Sequence, residues 1–331
     1  MADAFSFETI DTERVARAAL TFVAPPEDAS TGHVLRTTGS GLATLDLALR
    51  DEPIAGLTRS EALLWRRRFD TADLRQIESG LDLDRERGLQ ILTPEDAEWP
   101  ASLSRLGPRE PYALWVTGDA DLLAAPANSR TALIGAYAAT EYGTDWAARA
   151  AAELTEDGYV VTATSGEGIA TSAAQGVLDA NGHPVVVVPR PLTALGSLDA
   201  EVARKGVLMN EIPPVSSMTR KAALSSHWLL AGLSGVFTVV EAREHSTAVQ
   251  TARLARGLGR EVAAVPADVT RNRQGTNRLI ADGTATLVTD AEDVERLLEQ
   301  QGPQRTALGL DLAAVGHRFD HGVKAERHVG R

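Results

Sequence analysis

The chain has 331 residues, about two domains at the usual ~100–200 residues each, with 44% apolar and 24% charged residues. That composition excludes a disordered tail protein, a collagenous chain and a disulfide-stapled miniprotein. The absence of cysteine excludes disulfides, thiolate nucleophiles and Cys-ligated zinc or iron–sulfur clusters, and a net charge of −12 argues against indiscriminate binding of polyanions.

Residues 1–100 carry 11 basic and 19 acidic groups, and read as short helices with polar breaks. Helical apolar spacing (Val15, Ala18, Ala19, Phe22) predicts a helix over 12–24 that stops at Pro25-Pro26. Similar stretches run over 41–50, 59–69 and 71–79. The piece Thr38-Gly39-Ser40-Gly41 is similar to the turn of a helix-hairpin-helix module, whose backbone amides hold a DNA phosphate; a plain helix connection is the simpler alternative. The amino-terminal segment has no basic end followed by an apolar stretch, and no apolar run approaches the ~20 residues needed to span a bilayer. A cytoplasmic protein without membrane contact is expected.

From about residue 131 the pattern becomes strand, then helix, repeated. Val-rich runs of strand length occupy 131–136, 159–164, 184–189, 206–210, 236–241, 261–266 and 285–289. Helical stretches lie at 140–157, 168–180, 198–205, 219–231, 246–257, 277–282 and 291–301. Strands that are apolar throughout need helices on both faces, so the fold class is α/β, a doubly wound parallel sheet of extended Rossmann type preceded by a small all-helical domain. The boundaries expected are 1–88 for the helical domain, 89–301 for the Rossmann-type domain and 302–331 for a short tail.

Doubly wound sheets bind ligands beyond the carboxyl ends of their strands, so the loops after the strands are the places to inspect. The first, Gly135-Ala136-Tyr137, leads into a helix near Thr140 and offers backbone N–H groups to an anion, though a tight turn explains it as well. The second, Thr164-Ser165-Gly166-Glu167-Gly168, suits a phosphate or sugar held by amides and hydroxyls, with Glu167 opposing an anion. Glu241 ends a later strand, suited to a ribose or base or to pairing with an Arg. Ser246 follows as N-cap, with Thr247 beside it, and the lone His245 reads as exposed. The loop Arg271-Asn272-Arg273-Gln274-Gly275-Thr276-Asn277-Arg278 has the best chemistry for phosphates. It sits in the 243–278 stretch, where seven Arg face three acids. No H-E-x-x-H, Walker A, G-x-S-x-G or metal-ligand cluster appears, and no acid/base pair converges. No catalytic residue, metal or cofactor is expected; the protein reads as a non-enzyme.

Taken in order, these pieces resemble the DNA-processing protein A family (DprA, also called Smf). The family pattern Y-P-x-x-L, G-S-R-x-x-[ST]-x-Y-G and S-G-x-A-x-G-I-D-x-x-A-H-x-x-A-L stands here as Trp99-Pro100 to Leu103, Gly135-Ala136-Tyr137 through Tyr142-Gly143, and Ala163 to Leu178. R-N-R-I-I-A-G-L-S stands as Ser226-His227-Trp228 through Ser234, and V-V-E-A as Val239-Val240-Glu241-Ala242. S-G-S-L-x-T-A stands as Ser246 to Ala252, V-P-G as Val265-Pro266-Ala267, and G-x-N-x-L-I-x-x-G-A as Gly275 to Thr284. The resemblance covers residues 90–290, and the N-terminal helices fit the small SAM- or helix-hairpin-helix-like module of many members.

The resemblance implies a single-stranded DNA binder that acts in DNA uptake, natural transformation and recombination. It further implies that the protein loads a RecA-type recombinase and forms a homodimer. Its departures are specific. Tyr137, Ser226 and Trp228 stand where the pattern has arginines, and Ala170 and Ala174 stand where it has Asp and His. A weakened basic pocket follows, since each missing cation–phosphate interaction lowers affinity and flattens the salt dependence. Remaining candidates for binding phosphate are Arg204, Lys205, Arg220, Lys221, Arg271, Arg273 and Arg278, each equally readable as a solvated surface side chain. Tyr137 and Trp228 are candidates to stack on bases, at about 1–3 kcal/mol per base, or to fill the space the arginines vacate. The alternative is a sensor of a nucleotide-derived ligand held by Gly135, Ser165, Gly166, Gly168, Glu241, Ser246 and Thr247. A phosphoribohydrolase reading fails for want of P-G-G-x-G-T-x-x-E, and a scaffold that works through protein contacts is the remaining option.

Overall fold

The computed structural model describes residues 5–25, 28–193, 195–216, 220–268 and 274–301, with backbone alone for 84–85 and 220–223. The Val-rich runs form the centre of a nine-stranded sheet. Its strands are β1 (Gln90–Leu92), β2 (Leu114–Gly118), β3 (Arg130–Ile134), β4 (Val160–Thr164), β5 (Val185–Val187), β6 (Val207–Asn210), β7 (Val236–Val239), β8 (Glu261–Ala264) and β9 (Thr286–Leu287), in spatial order 1-2-6-5-4-3-7-8-9. From β6 to β9 every pairing is parallel. β1 and β2 extend the β6 edge antiparallel, with Trp115 opposite Asn210 and Ile91 opposite Trp115. The seven runs expected to form the parallel sheet do so, and the antiparallel edge adds two strands that the sequence reading did not place: β1 has only three residues, and β2 follows a 3-10 segment over Ala101–Arg109 rather than a crossover helix.

Side-chain alternation splits the core between the two faces. Ile134, Val187 and Met209 point to the face covered by α9 (Arg220–Leu233) and α10 (Thr247–Gly257). Leu133, Val161 and Ala163 point to the face covered by α6 (Glu141–Glu156), α7 (Ile169–Asp179) and α12 (Ala291–Glu299). Ala163 pairs with Val186, so that second face continues across β5 and β6. There it meets α8 (Ser197–Lys205) and the N-terminal helices in one apolar cluster that includes Val186, Leu208 and Trp115.

Those N-terminal helices are α1 (Glu13–Val23), α2 (Ala29–Thr38), α3 (Gly41–Leu49), α4 (Arg59–Asp70) and α5 (Leu74–Arg87). α1, α3 and α4 fall where the spacing predicts them; α5 runs further, and α2 has no counterpart in the apolar spacing. Phe22 of α1 meets Trp115 edge-on at 6.0 Å, tying helices to sheet. Arg14 adds a 2.6 Å ion pair to Asp96.

The turn between α2 and α3 does not offer its amides to a phosphate. Glu13 takes them: its carboxylate accepts from the N–H groups of Gly41 at 2.6 Å and Leu42 at 3.2 Å, and from the Ser40 hydroxyl at 2.8 Å. These bonds hold the Glu13 carboxyl below its ordinary range against the opposing effect of burial. The connection is an internal helix junction. Among the described residues, no helix is long and apolar enough to cross a membrane.

Candidate nucleic-acid interface

The direction of winding reverses between β3 and β7, the neighbours from which the sheet builds outward both ways. At the carboxyl ends of these strands lies a cavity of about 560 Å³, where a doubly wound sheet is expected to hold a ligand. Gly135, Tyr137, Ser165, Gly166, Ser246 and Thr247 all line it, so three separate loops converge as the sequence pattern implies.

Close packing shapes the rim. A Cβ on Gly135 would fall 2.6 Å from the Ile169 side chain and 2.8 Å from the Glu241 carbonyl oxygen. Gly168 has φ +65°, and its Cβ would fall 2.2 Å from the Tyr137 carbonyl oxygen. Gly168 thus acts on the cavity indirectly, by letting the loop after β4 approach the loop after β3. Tyr137 itself is 65% exposed at the mouth, and hydrogen bonding to Glu167 raises its phenol above the ordinary value.

Polar groups come from opposite sides. The Ser165 hydroxyl donates to Asp199 at 2.8 Å and accepts from Arg190 at 3.0 Å, and Arg190 also pairs with Asp199. Ser246 caps α10, its oxygen accepting from the Val249 N–H at 3.4 Å. Arg243 lines the cavity from the loop before α10, the one cationic side chain among the described lining residues. His227 lines it from α9. Burial holds the imidazole neutral, pushing its pKa down to about 4, and its enclosed Nδ1 has no partner among the described residues.

Several expected site residues stand elsewhere. Trp228 is 2% exposed within the core beneath α9, and the Arg109 guanidinium lies 4.4 Å from its ring centroid. It fills space and does not reach a ligand, so the stacking reading is corrected. Glu241 is buried and turned away from the cavity. Its carboxylate accepts from the Thr140 N–H at 3.1 Å and hydroxyl at 2.6 Å, and it borders a neighbouring cavity of about 400 Å³ with Tyr142 and Asp268. The anion at the start of α6 is therefore the chain's own carboxylate, not a ligand.

Asn277 clamps a loop: its amide donates to the Ala267 carbonyl at 2.8 Å and accepts from the Ala267 N–H at 2.9 Å. Gly275 is buried at the start of α11 (Gly275–Ala281), its N–H donating to the Ala242 carbonyl at 2.9 Å. Arg204 and Lys205 pair with Glu201 on their own helix. His245 is exposed, as expected. Arg271, Arg273 and the Lys221 side chain lie outside the described residues.

Sequence reasoning did not single out Arg190, Asp199, His227 or Arg243 as ligand-facing. Arg190 follows the β5 run, so inspecting the loop after every strand finds it; the side-chain pairing with Asp199 leaves no sequence signature.

Known proteins share the sequence pattern and the fold. The family model for DNA recombination-mediator protein A matches residues 90–299. The chain is 36% identical over 266 residues to a Mycobacterium tuberculosis protein named for DNA processing protein DprA, covering 75% of this chain and 67% of that one. It is 30% identical over 251 residues to protein Smf of Escherichia coli, covering 72% and 63%. Among solved structures, DprA from Streptococcus pneumoniae superposes with a TM-score of 0.68 at 19% identity, over 86% of this chain and 97% of that one. DNA processing protein A from Helicobacter pylori, described for its unique single-stranded DNA binding mode, does so with a TM-score of 0.57 at 23% identity, over 64% and 97%. The chain belongs to the DprA family of DNA-processing, recombination-mediator proteins.

Proposed function

We propose that this protein binds single-stranded DNA in the cavity between β3 and β7 and acts without catalysis, delivering the strand to a RecA-type recombinase as a homodimer in the cytoplasm. One observation carries the reading. Three strand-end loops converge on an open cavity whose rim combines an exposed aromatic, Tyr137, with hydroxyls, a capped helix start and Arg243. Aromatic platforms beside a cationic groove are the ingredients of single-strand binding. The Helicobacter pylori relative, of like fold, is described for its single-stranded DNA binding.

The pocket is weaker in positive charge than the family pattern. Tyr137, Ser226 and His227 occupy its lining at or beside positions where that pattern has arginines. Affinity then depends on Arg243 and on the basic loop carrying Arg271 and Arg273, with fewer counterions released on binding.

The test is fluorescence anisotropy with a labelled single strand of about 35 nucleotides at ~50 and ~200 mM salt, against a duplex of the same length. Sub-micromolar, salt-sensitive binding that prefers the single strand is expected. No binding at the lower salt would sink the reading.

A further inference from the structure

α4 turns two adjacent leucines into solvent. Leu63 and Leu64 are 49% and 65% exposed, and Leu49, at the end of α3, is 47% exposed. These are three of the seven large apolar side chains exposed among the described residues. Together with Arg50, Ser60 and Arg67 they line an open groove of about 690 Å³. The groove is firmly built. Thr58 and Glu61 form a capping box that fixes the start of α4. Arg66 ties α4 back to α3 and the chain after it, donating to the carbonyls of Leu47 at 3.1 Å and of Glu52.

The outward face of α4 is self-complementary. Arg59, Ser60, Leu63, Leu64, Arg67 and Asp70 are all exposed, and at about 100° per residue they fall within about 140° of arc. Arg50 is engaged by Asp46 at 2.7 Å, whereas Arg59, Arg67 and Asp70 form no ion pair among the described residues. Consider a second α4 packed antiparallel on the first, with a two-fold axis between Leu63 and Leu64. Leu63 of each copy then lies opposite Leu64 of the other. Arg59 and Asp70 share one flank of the helix. The axis therefore carries Arg59 of one copy to within about 3 Å, measured along the helix, of Asp70 of the other. Two symmetric ion pairs bracket a leucine centre. A strongly acidic or basic partner has no such match, because the face carries charges of both signs. A phosphate backbone would meet Arg59 and Arg67 but leave both leucines in water.

We infer that the outward face of α4 is a homotypic docking surface, on which a second copy of this chain packs through Leu63 and Leu64 with reciprocal Arg59–Asp70 pairs. The family match begins at residue 90, so this surface lies outside the matched region. It stands apart from the single-stranded DNA reading and from any contact between Rossmann-type domains.

The chain has no cysteine, so one introduced thiol reports on its own position. The full chain carrying Leu63→Cys is mildly oxidised, and its rate of disulfide-linked dimer formation is compared with that of Gln175→Cys, an exposed position on α7. The expected rate at position 63 is about tenfold above this control. In the Leu63→Cys background, Arg59→Asp alone or Asp70→Arg alone places like charges across the axis and should slow cross-linking about fivefold. The double swap restores opposite charges and should return the rate to within about twofold of the unswapped chain. Each swap puts an acid at the start of α4 or a base at its end, which suits the helix dipole, and thermal melting checks that every variant is folded. Cross-linking no faster than the control overturns the docking surface, as do rates indifferent to the swaps or a double swap as slow as the single ones. Anisotropy with the labelled single strand on the same variants reads DNA binding separately, so either reading can fail without the other.

Discussion

Glu241 and Thr140 join the two strands that flank the crevice. The carboxylate at the end of β7 accepts from the Thr140 backbone N–H at 3.1 Å and from its hydroxyl at 2.6 Å. The same hydroxyl oxygen caps α6, accepting from the Gly143 N–H at 3.2 Å. One side chain therefore fixes the start of α6 and the end of the loop that carries Tyr137. Thr140→Val removes a charge-assisted bond and an N-cap together, and a loss of about 2–4 kcal/mol is expected. Thr140→Ser keeps both and should stay near wild type. Urea unfolding of the two variants checks this, and equal midpoints would refute the assignment.

Gly168 sets the spacing between the Tyr137 loop and α7. With φ +65° and ψ −127° it occupies backbone space that side-chain-bearing residues avoid, and its Cβ would press on the carbonyl oxygens of Tyr137 and Ala136 at 2.2 and 2.3 Å. Gly168→Ala should cost about 2–4 kcal/mol through strain and displaced backbone. It should also move Tyr137 and weaken DNA binding. Gly166, in the same loop, has nothing within 4 Å of its Cβ position and no such φ, so Gly166→Ala is the control and should leave stability within about 0.5 kcal/mol of wild type.

Tyr137 is the exposed aromatic at the cavity mouth, with Glu167 as its hydrogen-bond partner. Tyr137→Ala should weaken single-strand binding by about 5- to 100-fold, the range expected for removing one base stack. Its melting temperature should not move, since little apolar surface is buried there. Tyr137→Phe keeps the ring and should retain most of the affinity. Loss of binding in Phe as great as in Ala would assign the role to the hydroxyl instead.

How much of this was legible in the sequence follows from how local each signal is. The runs of β3 to β8 announced themselves because burial on both sheet faces demands continuous apolar character, whereas Thr286 and Leu287 of β9 are exposed at the sheet edge. α2 was hidden: its sequence Ala-Ser-Thr-Gly-His-Val-Leu-Arg-Thr-Thr is rich in poor helix formers, and tertiary contacts hold it, among them the bond from Trp65 Nε1 to Thr31 at 2.9 Å. The three loops around the cavity were legible as glycine- and hydroxyl-rich strand ends. The direction in which a side chain turns was not. Glu241 and Trp228 sit within motifs, yet one reaches back to Thr140 and the other enters the core. Glu13 filling the α2–α3 turn shows the same limit, since a turn that can hold a phosphate is equally suited to a carboxylate from the chain itself.

The buried Glu211 and the half-buried His227 give stability opposite dependences on pH. Glu211, just after β6, is pushed up to about 7 by burial, which the bond from Ser225 only partly offsets. Below its ordinary value of 4.5 both folded and unfolded chains hold the proton. Between about 4.5 and 7 the unfolded chain releases it first, so stability falls as pH rises. His227 is pushed down from 6.5 to about 4 by burial, so the unfolded chain takes a proton first as pH falls. Its contribution is fully present above 6.5 and is lost toward pH 4. In wild type these slopes oppose each other across the same window, each of the order of 1–3 kcal/mol in amplitude. Glu211→Gln removes the first, so its stability relative to wild type should increase steadily from about pH 4.5 to 7 and then level off. His227→Gln removes the second, and its advantage over wild type should grow as pH drops from 6.5. Urea unfolding at half-unit intervals of pH resolves the two difference curves. Curves that stay parallel to wild type would mean that neither group titrates differently in the folded and unfolded chains. An anion bound beside His227 would favour its charged form, so single-strand binding should strengthen on acidification in wild type and not in His227→Gln.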